Sequence, residues 1–107
     1  MARPRTATWR EGIAMTREQA KSLNVAAAGI LQAVDVAGSL GAPGGVLYMG
    51  LMSSGYSIAE YQAVVGALEE GGLVLKSGDC YTLTDKGREM NAKVTAAIQA
   101  AAERVAA

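Results

Sequence analysis

The stretch that decides the fold is residues 67–90, which read ALEEGGLVLKSGDCYTLTDKGREM. Two short apolar runs, residues 73–77 and 80–84, lie on either side of the pair Gly78-Asp79. A glycine-containing pair between two such runs is typical of the two-residue turn of a β-hairpin. The stretch therefore predicts a small antiparallel hairpin.

The two faces of this hairpin have different characters. Side chains alternate between the faces of a strand, and residues opposite each other across the turn share a face. This register places Val74, Tyr81 and Leu83 together on an apolar face, which we assign to the core. Cys80 falls on the opposite face.

Helices are predicted on both sides of the hairpin. Thr16 with Gln19, and Ser57 with Glu60, have the spacing of a capping box, which marks a helix start. Thr84 is the expected N-cap of the last helix. The predicted helices cover residues 16–37, 46–53, 58–70 and 85–105.

Apolar residues in the first and last of these helices recur at steps of three and four. A helix cannot bury such a stripe alone in water, and both helices are longer than a compact helical core requires. We therefore predict a twofold homodimer in which these helices meet. The residues assigned to the dimer interface are Leu23, Ala27, Ile30, Val34, Val94 and Ile98.

The composition argues against an enzyme. The 107 residues carry ten basic and ten acidic side chains and no histidine, which is the commonest general base and metal ligand. The single cysteine, Cys80, cannot form a disulfide or a cysteine zinc site within the chain. We expect no catalytic activity, no metal and no cofactor.

The N-terminal residues 1–15 carry Arg3, Arg5 and Arg10 and no apolar signal core. They are predicted to form a flexible basic arm ahead of one domain that covers residues 16–107. No unbroken run of 18 apolar residues occurs, so no membrane span is expected and a cytoplasmic location is predicted.

The central stretch resembles winged helix-turn-helix regulators of the MarR and PadR types. Those families carry a similar Leu-x-x-x-Gly-Leu-Val, then a strand, then Leu-Thr-x-Lys-Gly-Arg. The matching residues are Leu68, Gly72, Leu73, Val74, Tyr81, Leu83, Thr84, Lys86, Gly87 and Arg88. The resemblance covers residues 46–90 well and the first helix by pattern alone. It implies a mainly α fold with a small β-hairpin, a winged helix-turn-helix with long first and last helices.

The same resemblance implies a dimeric transcriptional regulator that binds double-stranded DNA. In such families the third helix enters the major groove, and the hairpin, called the wing, meets the backbone or the minor groove. The candidate DNA contacts here are Arg3, Arg5, Arg10, Gln62, Lys76, Lys86 and Arg88. Some MarR-type regulators use a cysteine as a redox sensor, but the surroundings of Cys80 favour a passive, packed thiol.

The third helix departs from the usual pattern. Residues 22–75 contain four acidic residues and no lysine or arginine, a charge of −4 that would repel phosphates. On the predicted exposed side, Ala59, Ala63 and Ala67 recur at steps of four and make a smooth surface that suits another helix. A winged helix used as a protein-interaction or assembly module is therefore the alternative, with these alanines as further interface candidates.

Overall fold

The computed structural model of the chain describes residues 6–8 and 14–106, and within them the protein is mainly helical with a small antiparallel sheet. The helices are α1 (Arg17–Ala37), α2 (Gly44–Ser53), α3 (Ile58–Glu70) and α4 (Asp85–Ala106), with a single 3-10 turn at Gly38–Leu40 after α1. The strands are β1 (Thr6–Thr8), β2 (Ala14–Thr16), β3 (Ala42–Pro43), β4 (Val74–Ser77) and β5 (Cys80–Leu83).

The predicted hairpin is confirmed. Strands β4 and β5 pair antiparallel with Val74 opposite Leu83, and Gly78 supplies the positive φ of 61° that the turn requires. Val74 and Tyr81 are buried and Leu83 packs against the core, so the predicted apolar face does point inward.

A third strand was not predicted. The two residues of β3 pair with β5, with Ala42 opposite Tyr81, and the sheet order is β3-β5-β4. Gly41 precedes this strand at φ 85°, where a Cβ atom would lie 2.9 Å from the Cβ of Cys80. Only glycine lets the backbone approach β5 this closely.

Three of the four predicted helix starts are confirmed, whereas α2 begins at Gly44, two residues before the predicted start at Val46. Both capping boxes form, Thr16 with Gln19 at α1 and Ser57 with Glu60 at α3. The hydroxyl of Thr84 accepts a hydrogen bond from the backbone N–H of Gly87 at 2.9 Å, as an N-cap residue should.

The apolar stripe of α1 has a different role from the predicted one. Leu23, Ile30 and Val34 are buried in the core of the domain, and Ala27 packs against that core. All four residues were assigned to a dimer interface; Leu23, Ile30 and Val34 instead lie in the core of the single chain, whereas the half-buried Ala27 stays an interface candidate. The exposed apolar residues of α1 lie on its other side.

The segment predicted as an N-terminal arm contains two short strands. Strand β1 pairs antiparallel with β2, and Thr6 lies opposite Thr16. Arg3, Arg5 and Arg10 lie outside the described residues, so their contact with DNA stays a prediction.

Candidate functional site

The exposed side of α3 carries little that could read a base. Gln62 and Ala59 are exposed, whereas Ala63 and Ala67 are half-buried, so the predicted alanine ridge is open to solvent mainly at its N-terminal end. The carboxylate of Glu60 already accepts a hydrogen bond from the backbone N–H of Ser57 at 2.8 Å. Gln62 is thus the one predicted base-reading side chain on this helix.

Two of the predicted DNA-contact cations are bonded within the domain. The ammonium group of Lys86 donates to the carbonyl oxygen of Gly71 at 2.9 Å, where it neutralises the C-terminal end of α3. Arg88 donates to the carbonyl oxygen of Leu83 at 3.2 Å and forms an ion pair with Asp85. Both side chains remain exposed, so each cation can still attract a phosphate group in addition to its contact within the domain.

Lys76 is the cation at the hairpin. It is exposed on β4, and its ammonium nitrogen lies 5.9 Å from the centre of the Tyr81 ring, a distance that allows a cation–π contact. The two residues are directly opposite each other in the sheet register, which fixes Lys76 on the same side as Tyr81.

A cluster of tyrosines joins the hairpin to α2 and α3. The hydroxyl of Tyr61 donates to the carbonyl oxygen of Gly44 at 3.1 Å, and its ring centre lies 5.5 Å from that of Tyr48. Burial raises the pKa of Tyr61, and the neighbouring Tyr81 raises it further. The backbone N–H of Gly44 also donates to the carbonyl oxygen of Asp79 in the hairpin turn at 2.8 Å. These contacts hold the hairpin at a fixed position beside α2 and α3.

An apolar groove between α1 and α2 was missed by the sequence reasoning. It has a volume of about 550 Å³, and none of the described residues that line it is charged. The two walls of the groove carry exposed valines: Val25 on α1 is 66% exposed, and Val46 on α2 is 63% exposed. Apart from the neighbouring residues and the backbone of its own helix, nothing lies within 4 Å of where a Cβ of Gly29 or Gly50 would be, so the groove is open above these glycines.

This groove arises because α1 is apolar on more than one side. Residues 22–34 contain no charged side chain. Their periodic apolar stripe predicts only the side of the helix that faces the core. The signal that could have revealed the groove is the coincidence of this uncharged stretch with the uncharged α2, which also carries exposed Met49 and Met52.

The remaining predicted interface residues lie on α4. Val94 is half-buried beside α1, and Ile98 is 55% exposed. They stay candidates for contact with a partner, in contrast to the core residues of α1.

No metal-binding cluster is found among the described residues. No three histidine, cysteine or acidic side chains in this part of the chain lie close enough together to hold a metal ion. Cys80 is half-buried in β5 with a free thiol.

One described helical stretch, Arg17–Leu40, is long and apolar enough to cross a membrane by length and composition. This finding differs from the expectation that no segment would pass. The core helix of a globular domain passes the same criteria, and one side of α1 does form the core here. The cytoplasmic location stays a prediction.

No protein-family model matches this sequence, and no curated protein or solved structure is significantly similar to it.

Proposed function

We propose that this chain is a winged helix-turn-helix domain that binds double-stranded DNA and acts in transcriptional regulation. The observation that carries the proposal is the order of elements from α1 to α4, with β3 inserted before α2 and paired with β5. In this arrangement α2 and α3 are the helix-turn-helix, and the hairpin of β4 and β5 is the wing. The fixed position of the hairpin beside α3 supports such a role.

The charges of the described residues favour contact with the phosphate backbone over base reading. The wing offers Lys76, and the start of α4 offers Lys86 and Arg88, whereas α3 offers only Gln62 and carries three acids. Phosphate contacts give affinity without sequence information. We therefore propose that binding is salt-dependent and has little sequence preference.

A titration of a fluorescent mixed-sequence duplex, followed by anisotropy over a range of salt concentrations, tests this proposal. Binding at ~50 mM salt is expected, with an affinity that falls steeply as salt rises because condensed counterions are released. Lys76→Ala is expected to lower the slope of log affinity against log salt by about one for each wing on the duplex. Lys21→Ala is the matched control, because this exposed lysine lies near the start of α1, whereas the end of α1 lies beside the hairpin, and it should leave the slope unchanged.

A second candidate function is a winged helix that contacts protein instead of DNA. The specific observation in its favour is the exposed side of α3, which is uncharged at Ala59 and Gln62 and acidic at Glu69. The variant Gln62→Lys separates the two functions, because it tightens DNA binding if α3 faces the duplex. Absence of duplex binding at ~50 mM salt, for both the natural chain and this variant, would exclude the DNA proposal.

A further inference from the structure

We infer that the C-terminal segment of α4, residues 91–106, is a detachable strap that separates from α1 and unfolds while the rest of the domain stays folded. The buried side chain of Asn91 keeps the attachment of this strap weak. The inference concerns a conformational change within one chain, so it depends neither on DNA binding nor on association between copies.

The start of α4, by contrast, is firmly attached. The ammonium group of Lys86 donates to the carbonyl oxygen of Gly71 at 2.9 Å, and the guanidinium group of Arg88 donates to the carbonyl oxygen of Leu83 at 3.2 Å. Between them, Gly87 is buried. Within the part of the chain that the structure describes, the side-chain hydrogen bonds from α4 to other elements lie in this first turn. Beyond it, α4 is held mainly by its packing on α1.

The next buried position along α4 is polar. Asn91 follows four residues after Gly87, on the same face of the helix, and is only 8% exposed. Its Oδ1 atom is buried and accepts no hydrogen bond from any described residue. Closing the strap therefore removes this carbonyl oxygen from water without replacing its hydrogen bond, and the attachment is weakened by that loss.

The packing beside Asn91 is also loose. Met90 and Val94 of α4 border a crevice of about 310 Å³, and the opposite wall on α1 includes Ala27 and Ala28. These short side chains leave space between the helices, and atoms that face such a space lose the dispersion contacts of close packing. The apolar contacts at this point therefore offset little of the cost at Asn91.

The domain covers little of the strap after Asn91. Val94 and Thr95 are half-buried, whereas the other described side chains from 92 to 105 are exposed. The strap has 16 residues, and an isolated helix of about this length is only marginally stable in water. Release from α1 and loss of the helix are therefore expected to occur together, as in other protein segments with few buried contacts.

Release of the strap changes the surface of the domain. Leu31 of α1 and Leu68 of α3 are buried and border the same crevice as the strap residue Val94. Opening uncovers part of this apolar surface, while the attached first turn of α4 keeps the hairpin in place. A partner that binds only one of the two forms would shift the equilibrium toward that form.

Amide hydrogen exchange of the full chain, followed residue by residue by NMR spectroscopy, tests the inference. The amides of residues 94–98 report on the strap, and those of residues 30–34 report on the core part of α1. In the natural chain the strap amides are expected to exchange at least ~30-fold faster, after correction for intrinsic rates. Their exchange should also depend less on urea, because opening of the strap exposes less surface than global unfolding. Equal protection and equal urea dependence of the two sets would overturn the inference.

Two substitutions at Asn91 are expected to move the exchange in opposite directions. Asn91→Leu removes the buried carbonyl oxygen and keeps a similar size, so the amides of residues 94–98 are expected to exchange about tenfold more slowly. Asn91→Asp keeps nearly the same helix propensity but places a charge at this site, so these amides are expected to exchange at least ~10-fold faster. The amides of residues 30–34 should stay protected in Asn91→Asp, because the strap opens instead of burying the charge.

Gln99→Leu is the matched control. It makes the same change from an amide to leucine at an exposed position of the strap, and the exchange of residues 94–98 should stay within ~3-fold of the natural chain. Circular dichroism checks that the three variants fold. Strap amides that do not respond to either Asn91 variant, an equal response to Gln99→Leu, or global unfolding of Asn91→Asp would each contradict a strap controlled by Asn91.

Discussion

Replacing Gly87 with alanine is expected to destabilise the domain by about 3 kcal/mol, although alanine is the better helix former by about 1 kcal/mol. Gly87 lies in the first turn of α4, and a Cβ atom there would overlap the carbonyl oxygen of Leu73 and lie 2.9 Å from its carbonyl carbon. The backbone of Leu73 cannot easily move, because its carbonyl accepts from the N–H of Thr84 and its N–H donates to the carbonyl of Leu68. The contact therefore joins α3, the hairpin and α4.

The measurement is thermal and urea unfolding of the natural protein and of the Gly87→Ala variant. The melting temperature of the variant is expected to be lower by roughly 10–20 °C. Gly45→Ala is the matched control, since Gly45 lies in the first turn of α2 and nothing beyond its chain neighbours and its own helix backbone lies within 4 Å of its Cβ position. That variant is expected to be neutral or slightly stabilising. Equal stability of Gly87→Ala and the natural chain would contradict the close packing of α4 on the hairpin.

The elements that sequence reasoning predicted well are those with local signals. Capping boxes at Thr16 and Ser57, the turn at Gly78 and the N-cap at Thr84 each depend on residues within three positions of one another. Such signals act through backbone hydrogen bonds that form inside one segment, so no knowledge of distant contacts is needed.

The elements that were missed depend on contacts between distant segments. Strand β3 has two residues, includes Pro43 and exists only because β5 lies beside it, so no alternation could reveal it. The groove likewise needs the positions of both α1 and α2. A stripe at steps of three and four shows that a helix face is buried but not whether its own chain or a second copy covers it.

The candidate DNA contacts show the same limit. The sequence identifies Lys86 and Arg88 as cations near the wing, but it does not show that Gly71 and Asp85 already bind them. The sequence alone cannot distinguish a lysine that is free in solvent from one that caps a helix. The capping role of Lys86 becomes visible only when α4 is packed beside the end of α3.

Replacing Leu23 with alanine is the clearest test of where the stripe of α1 lies. Leu23 is 5% exposed in the core beside Ala26 and Ile30. Leucine-to-alanine changes at such sites remove apolar contacts and leave a cavity, and they typically lower the free energy of unfolding by 2–5 kcal/mol. We expect a loss in this range by urea unfolding, together with an unchanged dimer dissociation constant by sedimentation equilibrium.

The opposite pattern would follow if Leu23 lay at a dimer interface as the spacing first indicated. The variant would then associate less, and its melting temperature would depend more strongly on protein concentration than that of the natural chain. Leu40→Ala is the control of the same chemistry, because Leu40 is 90% exposed just after α1 and its truncation is expected to change stability by less than ~0.5 kcal/mol. A large loss of unfolding free energy for Leu23→Ala that does not depend on protein concentration, beside a negligible loss for Leu40→Ala, would place the stripe in the core of the single chain. The two variants make the same truncation, so their different effects would come from the burial of Leu23.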